Sequence, residues 1–127
     1  MFLLFNHTLT MEQKADASHS LGISEFVEMP PHLQTIWSQV PSKTDTVESH
    51  IEPVRQWLEE QARAGDYVLV QGDFGATYQM VCFALGRGLV PVYATTRRHA
   101  EEIRESDGTV KKENYFFHQR FRIYEDL

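Results

Sequence analysis

The sequence lacks both a cysteine pair and any long apolar run. Cys82 is the single cysteine among 127 residues, so neither an intrachain disulfide nor a cysteine-based zinc site can form. It lies in an apolar stretch, which predicts a buried, unreactive thiol. No run of about 18 apolar residues is present to span a bilayer. The apolar residues 1–5 lack a preceding basic segment and a following cleavage pattern, so we interpret them as a strand rather than a signal peptide.

An excess of positive charge is also absent. The formal net charge is −6, which argues against a protein that holds long nucleic acid through its whole surface. Residues 1–96 carry 5 basic and 11 acidic side chains, whereas residues 97–127 carry 7 of each, so the second segment can meet a small anionic ligand locally. The six histidines show no ligand spacing, and we predict no metal site. The length predicts one domain, residues 1–127. The single cysteine and the absence of a long apolar run predict a cytoplasmic protein without a membrane partner.

The spacing of apolar residues predicts an α/β domain. Apolar runs predict strands at residues 2–6, 23–29, 67–71 and 90–94, and residues 109–124 predict one or two strands at the edge of the sheet. Helices are predicted from the N-cap Thr10 to Gly22, over residues 32–40, from about Glu52 to Gly65 with Pro53 in the first turn, and over residues 76–87. This alternation predicts a mainly parallel sheet with helices on both faces. We expect the strand at 2–6 to lie beside the strand at 67–71.

Polar and glycine residues follow three of the predicted strands. Ligands of open parallel sheets bind beyond the carboxyl ends of strands, where helix N-termini point. The three stretches are Asn6 to Thr8, Gln71 to Thr77, and Thr95 to Arg98. Gly72 and Gly75 would let backbone N–H groups approach a phosphate. The turn matches neither GxGxxG nor the phosphate-binding P-loop, so by itself it is a weak signal.

Each of these side chains also has an ordinary structural interpretation. Asp73 suits a helix N-cap, His7 can bond a neighbouring loop, and Arg97 and Arg98 can form a solvated pair.

In the tail, Arg120 and Arg122 alternate about Phe121, which predicts that both share one face of a strand with His118. An edge strand kept soluble by charge gives the same alternation.

Four segments together resemble a known family. They are Phe5-Asn6-His7-Thr8-Leu9-Thr10, Gln71-Gly72-Asp73-Phe74-Gly75-Ala76-Thr77-Tyr78, Tyr93-Ala94-Thr95-Thr96-Arg97 and Phe117-His118-Gln119-Arg120-Phe121-Arg122-Ile123-Tyr124. In this order, across nearly the whole chain, they resemble the small CRISPR-associated proteins of type III systems grouped with the ancillary ring nucleases. The block that begins at Gln71 is the most specific part. The resemblance implies a CARF-like, Rossmann-like fold and a homodimer that binds cyclic oligoadenylate across its two-fold axis.

The resemblance also implies a reaction. A ring nuclease degrades cyclic oligoadenylate and so switches an antiviral response off. The expected substrate is cyclic tetra-adenylate. Attack of a 2′-oxygen on the adjacent phosphorus needs neither metal nor cofactor and leaves a 2′,3′-cyclic phosphate. The implied catalytic residues are His7, Asp73 and His118. The implied ligand-binding residues are Asn6, Thr8, Gln71, Gly72, Phe74, Gly75, Thr77, Thr95, Thr96, Arg97, Arg98 and Arg120. Two alternatives stay open: a module that sequesters the messenger without cutting it, and a small α/β protein that handles nucleotides or nucleosides.

Overall fold

The computed structural model describes all residues, 1–127, as four helices and five strands. In chain order these are β1 (Phe2–Leu4), α1 (Met11–Leu21), β2 (Val27–Glu28), α2 (Pro31–Ser38), α3 (Glu48–Gln61), β3 (Tyr67–Val70), α4 (Phe74–Gly86), β4 (Val90–Arg104) and β5 (Val110–Ile123). The alternating order confirms the predicted α/β class. The strand predicted at residues 23–29 is wrong in extent, because only two of its residues pair with β1.

The five strands form one sheet in the order β2-β1-β3-β4-β5. The first three pairings are parallel, and only β4 and β5 run antiparallel, which confirms the mainly parallel sheet and the tail strand at its edge. The expectation that the first strand lies beside the strand of residues 67–71 is also confirmed, since Leu3 of β1 aligns with Leu69 of β3. This order, with helices on both faces, is consistent with a Rossmann-like fold.

Apolar side chains cover both faces of the central strands. On one face, Leu4 and Val70 pack with buried residues of α2, α3 and α4. On the other, Leu3 and Leu69 pack with α1 through Ala17. Because neighbouring residues of a strand point to opposite faces, near-continuous apolar sequences are required here.

The ends of α1 are set by local sequence. The Thr10 hydroxyl accepts from the Gln13 amide at 3.1 Å, and the Gln13 side chain accepts from the Thr10 amide at 2.9 Å, which confirms the predicted capping box. Gly22 ends the helix in the left-handed conformation, φ 70°, where a side chain would be strained.

The predicted start of the third helix near Glu52 is wrong. Helix α3 begins at Glu48, one turn earlier, and Pro53 lies inside it. Proline removes a single backbone donor, whereas Ile51 in this extra turn is only 1% exposed. Burial of Ile51 therefore holds a turn that the proline would otherwise disfavour.

The prediction that Cys82 is buried is wrong. Helix α4 is apolar on nearly all sides, so its composition does not reveal which side meets the sheet. Its buried stripe consists of Ala76, Met80 and Ala84. Cys82 is two residues, or about 200° of helix rotation, away from Met80. It is therefore exposed, on the same stripe as Phe74 and Tyr78.

The fourth strand does not end near Ala94 as predicted. It continues to Arg104, turns at Gly108 and returns as β5, so Thr95 to Arg98 form part of a strand and not a strand-end loop. Backbone pairing with β5 extends the strand where no apolar run marks it. Every residue from 96 to 117 is exposed except the half-buried Glu113. We call residues 96–117 the arm and the remainder the body.

Candidate functional site

The chain reverses its winding direction between β1 and β3. The connection from β1 through α1 leads to β2 on one side, whereas the connection from β3 through α4 leads to β4 on the other. Connections that diverge from adjacent parallel strands leave a crevice at their carboxyl ends. The stretches after the two strands, Asn6 to Thr8 and Gln71 to Thr77, therefore begin at the same edge of the sheet, as the sequence predicted.

A buried tryptophan fixes the end of β3. The Trp37 indole Nε1 donates to the Gln71 carbonyl at 2.9 Å, and Trp37 is 1% exposed. A Cβ added at Gly72 would lie 2.7 Å from the same nitrogen. Gly72 is therefore required because a side chain would collide with the Trp37 indole of α2. This reason differs from the predicted one, which was the close approach of a phosphate. No short-range sequence signal marks Trp37 for this contact.

Gln71 links two strand ends. Its Oε1 accepts from the Ala94 amide at 2.7 Å, so this side chain joins the end of β3 to β4. Because Oε1 is engaged, only the amide NH₂ group of Gln71 remains for the predicted ligand binding. The side chain thus has a structural function that the sequence did not indicate.

Asp73 caps α4. Its Oδ2 accepts from the Ala76 amide at 3.0 Å, which confirms the N-cap interpretation. The amides of Phe74 and Gly75, in the first turn, have no partner within the protein and lie at the positive end of the helix dipole. Thr77 Oγ1, at the base of this turn, is buried without a hydrogen-bond partner. The turn therefore has donors available for an anion.

His7 lies at the β1 side of the crevice. It is exposed and stands edge-on to the Phe5 ring at 5.4 Å between centroids. Beside it is a cavity of about 200 Å³. The cavity is lined by Leu3, Phe5, Asn6, His7, Thr8, Glu28, Met29 and Gln34. Its size suits part of a nucleotide, such as a base or ribose, and not a complete ring.

The third predicted stretch leads away from the crevice. Thr95 stays at the edge of the body, where its hydroxyl donates to the Arg120 carbonyl at 3.0 Å. Arg97 stands about 10 Å further along β4 than Ala94, at about 3.3 Å per residue. Arg97 stacks on the Phe117 ring at 5.6 Å from its centroid. Thr96, Arg97 and Arg98 thus belong to the arm, and their predicted position beside Gly72 is wrong.

His118 faces α1 and not the side that Arg122 occupies. Its Nε2 lies 2.7 Å from Asp16 Oδ2, and its side chain is 4% exposed. A β-bulge explains this, because Thr95 aligns with Arg120 while Thr96 aligns with His118, which leaves one extra residue in β5. The extra residue breaks the alternation, so the expected common face of His118, Arg120 and Arg122 is wrong.

The Asp16 carboxylate is the centre of this contact. Ser20 donates to Oδ1 at 2.6 Å, and this bond, followed by the bond to His118, lowers the pKa of Asp16 from its ordinary value. Arg120 adds an attractive charge. The second ring nitrogen of His118, Nδ1, is buried without a partner. Asp16 is 102 residues from His118 in sequence, so no local signal could have found it.

Arg122 joins a cluster of tyrosines in the body. Its Nη1 donates to the Tyr93 hydroxyl at 3.0 Å, and Tyr93 packs against Tyr124 at 4.7 Å between centroids. The Tyr124 hydroxyl donates to the Val70 carbonyl at 2.7 Å, and burial raises its pKa. This cluster holds the end of β5 against β3 and β4.

The largest cavity lies at the opposite edge of the sheet. It has a volume of about 570 Å³ and borders the amino ends of β1 and β3. Glu25 and Asp66 line it together with Arg63 and the Met1 ammonium group, so its charges balance and offer no excess of positive charge to a polyanion. For an anionic ligand, the smaller carboxyl-edge crevice is the better site.

Two kinds of feature are absent from the structure. No group of three or more His, Cys, Asp or Glu side chains is arranged to hold a metal ion. None of the helices has the length and apolar character needed to cross a membrane.

The fold defines a Rossmann-like α/β protein whose strand switch point lies between β1 and β3. More particularly, the chain belongs to the Uncharacterized protein MJ1673 family, whose profile matches residues 1–122. It is similar to "Uncharacterized protein MJ1673" of Methanocaldococcus jannaschii, with 46% identity over 124 residues that cover 98% of this chain and 95% of the relative. No solved structure matches the chain. Neither name states an activity, so function is argued from the site.

Proposed function

We propose that this protein is a cytoplasmic ring nuclease that opens cyclic oligoadenylate, with cyclic tetra-adenylate as the first substrate to test. The observation that carries the proposal is that β1 and β3 are neighbouring parallel strands, so exposed His7 and the first turn of α4 follow strands that end at the same edge of the sheet. Free amides at Phe74 and Gly75 give this crevice donors for a phosphate. Its resemblance to type III CRISPR-associated ring nucleases supplies the substrate class.

In the proposed reaction, a ribose 2′-oxygen attacks the adjacent phosphorus in line. The P–O5′ bond breaks, and the products carry a 2′,3′-cyclic phosphate and a 5′-hydroxyl. His7 accepts the 2′-hydroxyl proton or protonates the leaving 5′-oxygen. The amides of Phe74 and Gly75 hold the charge that develops on the non-bridging phosphate oxygens. One oxygen of Asp73 is engaged by the helix cap, which leaves Oδ1 to orient a ribose hydroxyl.

Two copies of the crevice suit a ring with approximate two-fold symmetry, so the proposed enzyme is a homodimer. Arg120 of the body is the proposed source of positive charge for the ring, since the arginines of the arm lie further along β4. His118 has a weaker claim to proton transfer than His7, because one of its ring nitrogens is engaged by Asp16 and the other is buried.

A sequestering protein is the second candidate function. It is favoured by the engagement of His118, since of the two predicted catalytic histidines only His7 is then exposed. Binding without cleavage needs only the donors and the cations. Both functions predict binding, and only the first predicts linear products.

The test is incubation of the purified protein with cyclic tetra- and hexa-adenylate in excess EDTA, followed by chromatography of the products. For the enzyme we expect linear fragments that end in 2′,3′-cyclic phosphate. His7→Gln should lower the rate about 10²- to 10⁴-fold, the range for loss of a general acid or base. His19→Gln, an equal change at an exposed histidine on α1, is the matched control and should keep the wild-type rate.

Arg120→Ala separates a ligand role from a structural one. If Arg120 contacts phosphate, its loss should weaken binding or cleavage by about 1.5 to 3 kcal/mol with little change in unfolding free energy. Binding without any linear product would favour sequestration. Absence of both binding and cleavage with either ring would reject the whole proposal.

A further inference from the structure

The arm is a two-stranded ribbon that nothing in the chain covers. Residues 96–104 of β4 alone extend about 30 Å at the rise of a strand. Two-stranded ribbons without a packed face are marginally stable in water. The arm nevertheless exposes large apolar side chains on its return strand, with Phe116 68% exposed. Such a surface is normally covered by another molecule.

The accessible surface area of the whole chain is larger than that of a compact monomer of the same mass. It is 8669 Å², whereas a compact monomer of 14.8 kDa exposes about 7,000 Å². The excess of about 1,700 Å² per chain is in the range that each copy buries in an obligate dimer, about 1,000 to 2,500 Å². A second copy of the chain seated on the arm would cover part of this excess.

The charges of the arm identify a second arm as the partner. Residues 96–117 contain 5 basic and 5 acidic side chains, so the arm is neutral while the rest of the chain carries the net charge of −6. A neutral arm has no general attraction for nucleic acid or for an anionic membrane. An arm directed at the acidic body of a second copy would gain nothing from charge either. Arm against arm, in contrast, brings no net charge together.

The free edge of β4 has a self-complementary charge order. Strand β3 pairs with β4 only at residues 90–92, so beyond Ala94 this edge has no strand partner. In an antiparallel pair with its two-fold axis at Ala100, Arg98 of each copy lies opposite Glu102 of the other. His99 likewise lies opposite Glu101. The small Ala100 meets itself on the axis, where a long side chain would collide.

We propose that two copies of this chain join through their arms, the β4 edges pairing antiparallel about Ala100 in a continuous four-stranded ribbon. This association is distinct from the dimer that would share one ring, because its axis lies about 20 Å along β4 from Ala94, at about 3.3 Å per residue. It forms without ligand and does not depend on the proposed nuclease activity. The pairing satisfies backbone donors and acceptors along an otherwise open edge. The strand order becomes β5-β4-β4-β5 across the axis.

Sedimentation equilibrium or light scattering of the ligand-free protein tests the association. We expect a dimer of about 30 kDa, twice the 14.8 kDa chain, at low micromolar concentration. Arg98→Glu should dissociate it at least tenfold more readily, because each copy then opposes Glu102 with a like charge. Both side chains are exposed, so circular dichroism should show an unchanged fold.

Charge exchange tests the register. Glu102→Arg should also weaken the dimer, and the double variant R98E/E102R should restore it to within a few-fold of wild type. Lys111→Glu, an equal charge reversal on β5 away from this edge, is the matched control and should leave the dimer unchanged. Hydrogen exchange should show protected amides around Ala100.

Three results would overturn the proposal. They are a wild-type monomer at tens of micromolar, a dimer that survives Arg98→Glu, and a double variant that stays dissociated. A dimer lost through Phe74→Glu on α4, and kept by the arm variants, would place the interface on α4 instead. None of these results bears on cleavage of cyclic oligoadenylate, which is measured separately.

Discussion

The body and the arm are held together by different forces. In the body, β1 and β3 are short but buried on both faces, and helices cover each side. In the arm, β4 and β5 are each several times longer, yet only their mutual pairing holds them. Length of a strand is therefore no guide to its stability here. Burial fixes the body, whereas the arm has cross-strand contacts alone, and single substitutions should affect the two regions unequally.

The largest expected difference is at Trp37, in the body. Trp37→Ala removes a buried ring and its bond to Gln71, and should cost about 3 to 5 kcal/mol of unfolding free energy. Urea unfolding measures this directly. Tyr78→Ala, an exposed aromatic on α4, is the control and should change stability by about 0.5 kcal/mol or less. Equal losses for both variants would contradict the burial that distinguishes Trp37.

Gly72 and Gly75 should respond with opposite signs to the same change. Gly72→Ala forces the new Cβ to within 2.7 Å of Trp37 Nε1, so the ring or backbone must move at a cost of about 1 to 3 kcal/mol. At Gly75 the nearest atoms are 3.5 Å from a Cβ, and alanine should stabilise α4 by up to about 1 kcal/mol. Thermal unfolding of both variants gives the comparison. A neutral Gly72→Ala would show that Trp37 can shift freely.

The Asp16–His118 contact joins the body to the base of the arm. Asp16→Asn should cost about 1.5 kcal/mol at neutral pH, the lower end for bonds to charged groups because Asp16 is partly exposed. Since folding lowers the pKa of Asp16, the stabilisation is present above its unfolded value near 3.8 and is lost as the pH falls through the lowered value. The gap in unfolding free energy between wild type and variant should therefore be smaller at pH 3 than at pH 7. Glu12→Gln is the control, and a gap that persists unchanged at pH 3 would exclude the carboxylate as its source.

Elements defined by local or buried residues could be predicted from the sequence. The α1 ends follow from Thr10, Gln13 and Gly22, and β3 follows from an apolar run that both faces require. The carboxyl-edge position of His7 follows from strand order, once β1 is placed beside β3. These features depend on neighbours in the chain or on burial alone.

Features that depend on distant partners could not be predicted. Glycine is needed at position 72 because of Trp37, which is 35 positions earlier, and His118 is oriented by its contact with Asp16, 102 residues away. The bulge that turns His118 toward α1 leaves no mark in the alternating tail. Cys82 was misplaced because α4 is apolar all round, so periodicity does not tell its buried side from its exposed one.

The smallest effects should come from cation–π contacts, of which we compare one in the arm with one in the body. Arg97 of the arm and Arg122 of the body each stack on an aromatic ring, at 5.6 and 5.5 Å from its centroid. Arg97→Ala should cost only about 0.5 kcal/mol, the value for an exposed cation–π contact. Arg122→Ala should cost about 1 kcal/mol more, because Arg122 also bonds the Tyr93 hydroxyl.

Urea unfolding of both variants at several protein concentrations separates the contributions. Stability lost in Arg97→Ala equally at every concentration belongs to the ring contact within one chain. A loss that grows with concentration belongs instead to the association of two copies, since binding stabilises the folded chain by mass action. Identical losses at both arginines, at all concentrations, would show that arm and body do not differ in how they hold such contacts.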